Sequence, residues 1–251
     1  MDSANHEKAI VNKVSKVPGT DAAQVAGKAG PDEGRADTAY RFLRKAILSN
    51  EIPVGFQATE VEIAGRLNMS RTPVHEAMAR LQEEGFVQIL PRRGILVKGL
   101  TAADLLEIYD ILIGLEGAAA ERLAQQGNDA IADIGRALED FTVKMERALA
   151  AGDLDGWADA DEAFHDTLVA RCGNGRIRRL VETVSGQSHR ARRLTLNMRP
   201  SPSQSAVEHR DIVAAITAGD SAAAGQAARA HRRRARDQLV PILRRINFAA
   251  L

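Results

Sequence analysis

Apolar residues recur along most of this chain at three- and four-residue spacing, the period of helices that bury one face. Residues 1–34 lack that period. They end in Gly30-Pro31-Asp32-Glu33-Gly34 and read as a mobile, disordered tail. The pattern starts over 37–49, where Tyr40, Leu43, Ile47 and Leu48 share a stripe. Pro53 and Gly55 then impose a turn. Thr59-Glu60-Val61-Glu62 has the form of a capping box and opens a second helix that buries Ile63, Ala64 and Leu67. A third helix follows Asn68-Met69, capped by Ser70 or Thr72, with Pro73 in its first turn. Its inner face is Val74, Ala77, Met78 and Leu81, and Gly85 stops it. Two short strands, 86–90 and 95–98, flank Pro91-Arg92-Arg93-Gly94. Three small helices and a hairpin with a basic tip over 35–99 predict a winged helix-turn-helix.

After a joint at 99–101, the pattern is helical to the end. It predicts helices over 102–126, 129–151, 154–172, 176–197, a fifth ending near 218, and 221–247. Ser205-Ala206-Val207-Glu208 reads as the capping box of the fifth. Gly152-Asp153, Gly173-Asn174-Gly175, Pro200-Ser201-Pro202 and Gly219-Asp220 make the connections short. The expected fold class is therefore mainly α: the winged helix, then an all-α antiparallel six-helix bundle over 100–251.

Composition narrows the function classes. The 251 residues hold nine aromatics, which suits helices packed on helices better than a β-sandwich. A single cysteine, Cys172, excludes a disulfide framework and a Cys-rich metal site. No run of 18 apolar residues marks a transmembrane helix, and the N-terminus lacks the apolar core of a secretion signal. The expected location is cytoplasmic, with no membrane partner. Overall charge is only +1, but residues 35–99 hold ten basic and seven acidic side chains, so the positive excess sits in the winged helix. There Arg71 and Thr72 open the third helix, Arg80 lies further along it, and Arg92 and Arg93 precede Gly94 at the hairpin tip. Charged and hydroxyl donors so placed suit duplex DNA, with the third helix in the major groove.

The second half carries a different chemistry. Over 154–172, Leu154, Trp157, Asp161, Phe164, His165 and Leu168 share one face, and Asp161 and His165 are four residues apart. His209 shares a stripe with Ile212, Val213 and Ile216, and His231 shares one with Ala224, Ala228, Ala235 and Leu239. One carboxylate and three imidazoles thus point inward from three helices. Buried polar groups need partners, and a divalent cation satisfies all four at once. An Asp plus three His suits Zn²⁺, Ni²⁺, Mn²⁺ or Fe²⁺. Arg192 follows Val181, Val184 and Ser188 along an inward stripe, while Arg232-Arg233-Arg234-Ala235-Arg236 reads mostly as a solvated or dimer-facing surface.

Residues 39–98 resemble the DNA-binding domain of the GntR family of bacterial transcription regulators. The resemblance rests on Ser70-Arg71-Thr72-Pro73-Val74-His75-Glu76-Ala77, Leu81 with Glu84-Gly85, and Pro91-Arg92-Arg93-Gly94. It implies that Arg71, Thr72, Arg80 and Gly94 contact operator DNA. His75 stands where the family usually has an Arg, so the bidentate fork that reads guanine is missing there. The second half is similar to the FCD ligand-binding domain of FadR-type members, closest to the VanR-like six-helix branch. Here the matching residues are Asp161-Glu162-Ala163-Phe164-His165, Glu208-His209-Arg210-Asp211 and Ala227 with His231. That resemblance implies a metal on Asp161, His165, His209 and His231, with an organic acid beside it. Many members place an Arg three or four residues before the position of Glu116. This chain has Leu112 and Ile113 there, so Arg192, with Ser188, becomes the candidate for the acid.

Together these readings point to a repressor that binds operator DNA as a homodimer and answers to a small carboxylate. A metalloenzyme is the rival from another class, although Glu162, next to Asp161, is turned off the metal face and leaves no general base. A direct metal sensor stays open as well.

Overall fold

A computed structural model describes residues 34–246. Of the expected tail, residues 1–33 lie outside the described residues, as do residues 247–251, while Gly34 is the N-cap of the first helix. The chain divides into two compact units between Gly99 and Leu100.

The first unit contains α1 (Arg35–Leu48), β1 (Gln57–Ala58), α2 (Glu60–Leu67), α3 (Arg71–Glu83), β2 (Val87–Leu90) and β3 (Gly94–Val97). The Thr59 box forms as the sequence suggests: Glu62 donates its backbone N–H to Thr59 Oγ1, and the Glu62 carboxylate accepts from the Thr59 N–H at 2.7 Å. Asn68 ends α2 in the left-handed region, φ 51°. Ser70 is the α3 cap position, but neither it nor Thr72 caps with its side chain. Leu43, Ile47, Ile63, Met78, Leu81, Phe86 and Ile95 interlock as the core. The sheet has three strands rather than two, in the order β1-β3-β2, all antiparallel. The added β1 is two residues long, too short for alternation to announce it. It also explains a glycine. Gly94 has φ +84°, and a Cβ there would lie 2.0 Å from the Ala58 carbonyl oxygen, so the close passage of β1 requires glycine at this position.

The second unit holds α4 (Ala102–Ala124), α5 (Asn128–Ala150), α6 (Leu154–Ala170), α7 (Gly175–Thr195), a 3-10 turn (Leu196–Met198), α8 (Ser203–Thr217) and α9 (Ser221–Ile246). α9 runs along α4, and α5 packs on α6 and α8. Asp153 and Asn174 cap α6 and α7 with their side chains. Two expectations need correction. The capping box at Ser205 does not form: α8 starts two residues earlier, Ser205 is buried inside it, and Glu208 is drawn to α9 instead. The basic run after His231 is not a uniformly solvated face either. Arg232 is 2% exposed and bonded to Glu116. One residue along a helix turns a side chain by 100°, enough to carry Arg232 off the His231 direction and onto α4.

Candidate metal centre and nucleic-acid interface

In the first unit, Arg71, Thr72 and His75 all lie on the exposed face of α3. Glu60, at the start of α2, reaches two of them. Its Oε2 lies 3.2 Å from Arg71 Nη2, and its Oε1 lies 2.7 Å from His75 Nδ1. The bond to His75, and then that to Arg71, holds the Glu60 carboxyl below its usual range. Arg80 is tied back to α1: Nη1 donates to Asp37 at 2.6 Å, and its guanidinium lies 3.8 Å from the centroid of the Tyr40 ring. Arg93 is exposed in the β2–β3 turn, just before Gly94. α3 thus presents Arg71 and His75, both held by Glu60, and Thr72 in its first turn.

In the second unit, Asp161 and His165 from α6, His209 from α8 and His231 from α9 come together. One ligand atom from each lies within 4.8 Å of the others, and all four residues are buried. His165 Nε2 is 3.3 Å from the Nε2 atoms of both His209 and His231. Asp161 Oδ1 stands 3.9 Å from His165 Nε2 and 3.8 Å from His209 Nε2. Carboxylates fix the far side of two rings: Glu116 Oε2 is 2.9 Å from His165 Nδ1, and Glu208 Oε2 is 2.8 Å from His231 Nδ1. The Glu208 hydrogen bond keeps the His231 proton on Nδ1 and leaves Nε2 as a lone pair, and the negative charge of Glu116 beside His165 Nδ1 favours the same tautomer there. The His165 and His231 lone pairs at 3.3 Å repel unless something positive lies between them, and His209 Nε2 is at the same distance from His165, so the donor set fits a divalent cation.

Electrostatics keep the donors ready. Burial, then Arg232, pushes the His165 imidazole down to about 4. Burial, followed by the neighbouring rings, drives His209 well below its ordinary value, and burial lowers His231 as well. All three rings are therefore neutral near pH 7 and able to bind a metal. Burial alone would raise the Asp161 carboxyl, but Arg192, with Nε at 3.1 Å, and the imidazoles hold it far below its usual range. Arg192, 4% exposed, also donates to Ser188 Oγ at 3.1 Å, so of the two expected acid-binding residues Arg192 lies against Asp161 and Ser188 lies against Arg192.

Sequence reasoning missed the groups around this centre. Arg232 grips Glu116 with two hydrogen bonds, Nε to Oε2 at 2.7 Å and Nη2 to Oε1 at 2.5 Å. Glu208 is shared between His231 and Arg234. Glu116 sits seven residues after Tyr109, on one stripe of α4 with Leu112, and a lone Glu on an apolar stripe was the available signal. Glu162 lies 3.1 Å from His189 Nε2.

Residues 35–97 match the bacterial regulatory proteins of the gntR family, and residues 107–234 match the FCD domain. An HTH-type transcriptional regulator in the TAR-I ttuE-ttuC' intergenic region of Agrobacterium vitis is 53% identical over 147 residues, covering 59% of this chain and 86% of that protein. An HTH-type transcriptional regulator in an unstable DNA locus of Streptomyces ambofaciens is 31% identical over 200 residues, 80% of this chain and 83% of that one. A transcriptional regulator of Rhodococcus sp. RHA1 shares the fold, with a TM-score of 0.68 at 24% identity over 82% of this chain and 98% of its own.

Proposed function

Since the chain belongs to the GntR family and carries an FCD domain, it is a DNA-binding transcriptional regulator, and we propose that a small organic acid beside a divalent cation sets its operator affinity. In this reading Asp161, His165, His209 and His231 hold the ion, which is Zn²⁺, Ni²⁺, Mn²⁺ or Fe²⁺. The observation that carries it is the convergence of three imidazole Nε2 atoms, two of them on rings whose Nδ1 is held by a carboxylate. When bound, the ion supplies a Lewis-acid point for a carboxylate oxygen. Arg192 and Ser188 offer donors next to Asp161, where an acid can find its counter-charge.

On the DNA side, Arg71, Thr72, His75 and Arg80 of α3 are assigned to the major groove and nearby phosphates, and Arg93 and Gly94 to the wing. Family regulators commonly act as dimers, and a homodimer on a pseudo-palindromic operator fits this arrangement. The acid changes DNA affinity only by binding the DNA-competent and DNA-incompetent states unequally. As a repressor, the protein would release operator when the acid binds.

Fluorescence anisotropy with labelled DNA from upstream of the protein's own gene tests this. The expected result is that a metal-loaded sample weakens its DNA binding by about tenfold with at least one organic acid, and that metal-stripped protein loses the response. An affinity that stays constant with chelator, metal and a broad acid panel contradicts the proposal.

A further inference from the structure

Beside the metal centre, the buried polar atoms that lack a hydrogen-bond partner are mostly donors. Tyr109 Oη on α4 and Trp157 Nε1 on α6 are both buried and unpartnered. Arg199, in extended backbone just after the 3-10 turn, has Nε and Nη2 buried without a partner. Its guanidinium lies 5.5 Å from the centroid of the Trp157 ring and within electrostatic reach of Arg192, Asp161 and Tyr109. A fold rarely leaves so many donors unsatisfied together, and a guanidinium and an indole N–H can only donate. What completes them must bring acceptors.

The ion pairs show where. Arg232 is matched by Glu116, Arg192 by Asp161 and Arg234 by Glu208. Arg199 has no carboxylate within ion-pair distance among the described residues, and burial, then Arg192, lowers its pKa. Once a divalent ion is bound, Arg199 is a second positive point beside it, within electrostatic reach of Asp161.

We propose that the acid is a dicarboxylate, with one carboxylate at the metal and Arg192 and the other held by Arg199 and the Tyr109 hydroxyl. This rests on the metal-assisted acid site proposed above and adds a second anchor, which makes Arg199 and Tyr109 specificity-determining residues. A monocarboxylate would leave Nε and Nη2 of Arg199 buried without an acceptor, which is the basis of discrimination.

Titration calorimetry on full-length protein loaded with Zn²⁺ tests it, comparing malonate, succinate and glutarate with propionate, butyrate and valerate. At least one diacid should bind about tenfold or more tightly than the monoacid of equal carbon number. Arg199→Gln should bring that ratio close to one with unchanged zinc content. Tyr109→Phe should lower the ratio while leaving ligand-free thermal stability equal or higher, because the hydroxyl has no partner in the fold. Equal affinities for diacids and monoacids in the native protein, or a ratio unchanged in both variants, would overturn the second anchor and leave the acid site standing. If neither class binds to zinc-loaded protein, the acid-site reading falls, and this inference with it.

Discussion

Two carboxylates decide what the three imidazoles can do. The charges of Glu116 and Glu208 favour protons on His165 Nδ1 and His231 Nδ1, which turns Nε2 of each toward a metal as a lone pair. Glu116→Gln should therefore weaken metal binding by about 10- to 100-fold, measured by competition with a chromophoric chelator. It should also destabilise the fold, since Arg232 would be left buried without its counter-charge, at a cost of roughly 3–5 kcal/mol. The imidazoles also set a pH dependence. Their folded pKa values lie below the unfolded value of about 6.5. Below that pH the unfolded chain takes up protons that the native centre refuses, so acidification favours unfolding. Metal-free protein should lose thermal stability as pH falls from about 6.5 to about 4, where His165 itself titrates. A flat melting temperature across that window would show that the rings are not buried and neutral.

At the scale of elements, α6 was the most legible. The four-residue spacing of Asp161 and His165 beside Trp157 and Phe164 by itself assigns both candidate ligands to its buried face. The stripes of α8 and α9 gave His209 and His231 in the same way, and the helix boundaries agree to within a few residues. What stayed hidden depends on contacts between elements. Arg232 looked like part of a solvated run because its partner, Glu116, is 116 residues earlier. Arg199 follows a break at the end of α7, where no period applies, and β1 is defined only by its pairing with β3. The exposed face of α3 gives its own test. Arg71→Ala should weaken operator binding and reduce the slope of log affinity against log salt by about 1, as for one lost phosphate contact. His75→Arg should restore a bidentate donor and tighten binding to sites with guanine at the facing position, read by anisotropy on a set of operator variants. Glu60, which holds both side chains, is the group these substitutions leave unpaired or re-pair.

For the whole molecule, two compact units carry two chemistries: a basic helix face suited to DNA, and a buried N₃O centre suited to a cation. Linkage requires any coupling to be reciprocal, so an acid that loosens DNA must itself bind less tightly to the DNA-bound protein, by the same factor. Calorimetry with and without a saturating operator duplex would measure that factor. All of this depends on the centre accepting an ion. Titration of metal-stripped protein with Zn²⁺, Ni²⁺, Mn²⁺ and Fe²⁺ is the most direct check. For at least one of them, the native chain should take up one ion per protomer with a rise in melting temperature, and His209→Ala should lose both. Native protein that binds none of the four, or a His209→Ala variant that binds as tightly as the native chain, would contradict the assignment of this cluster as a metal centre.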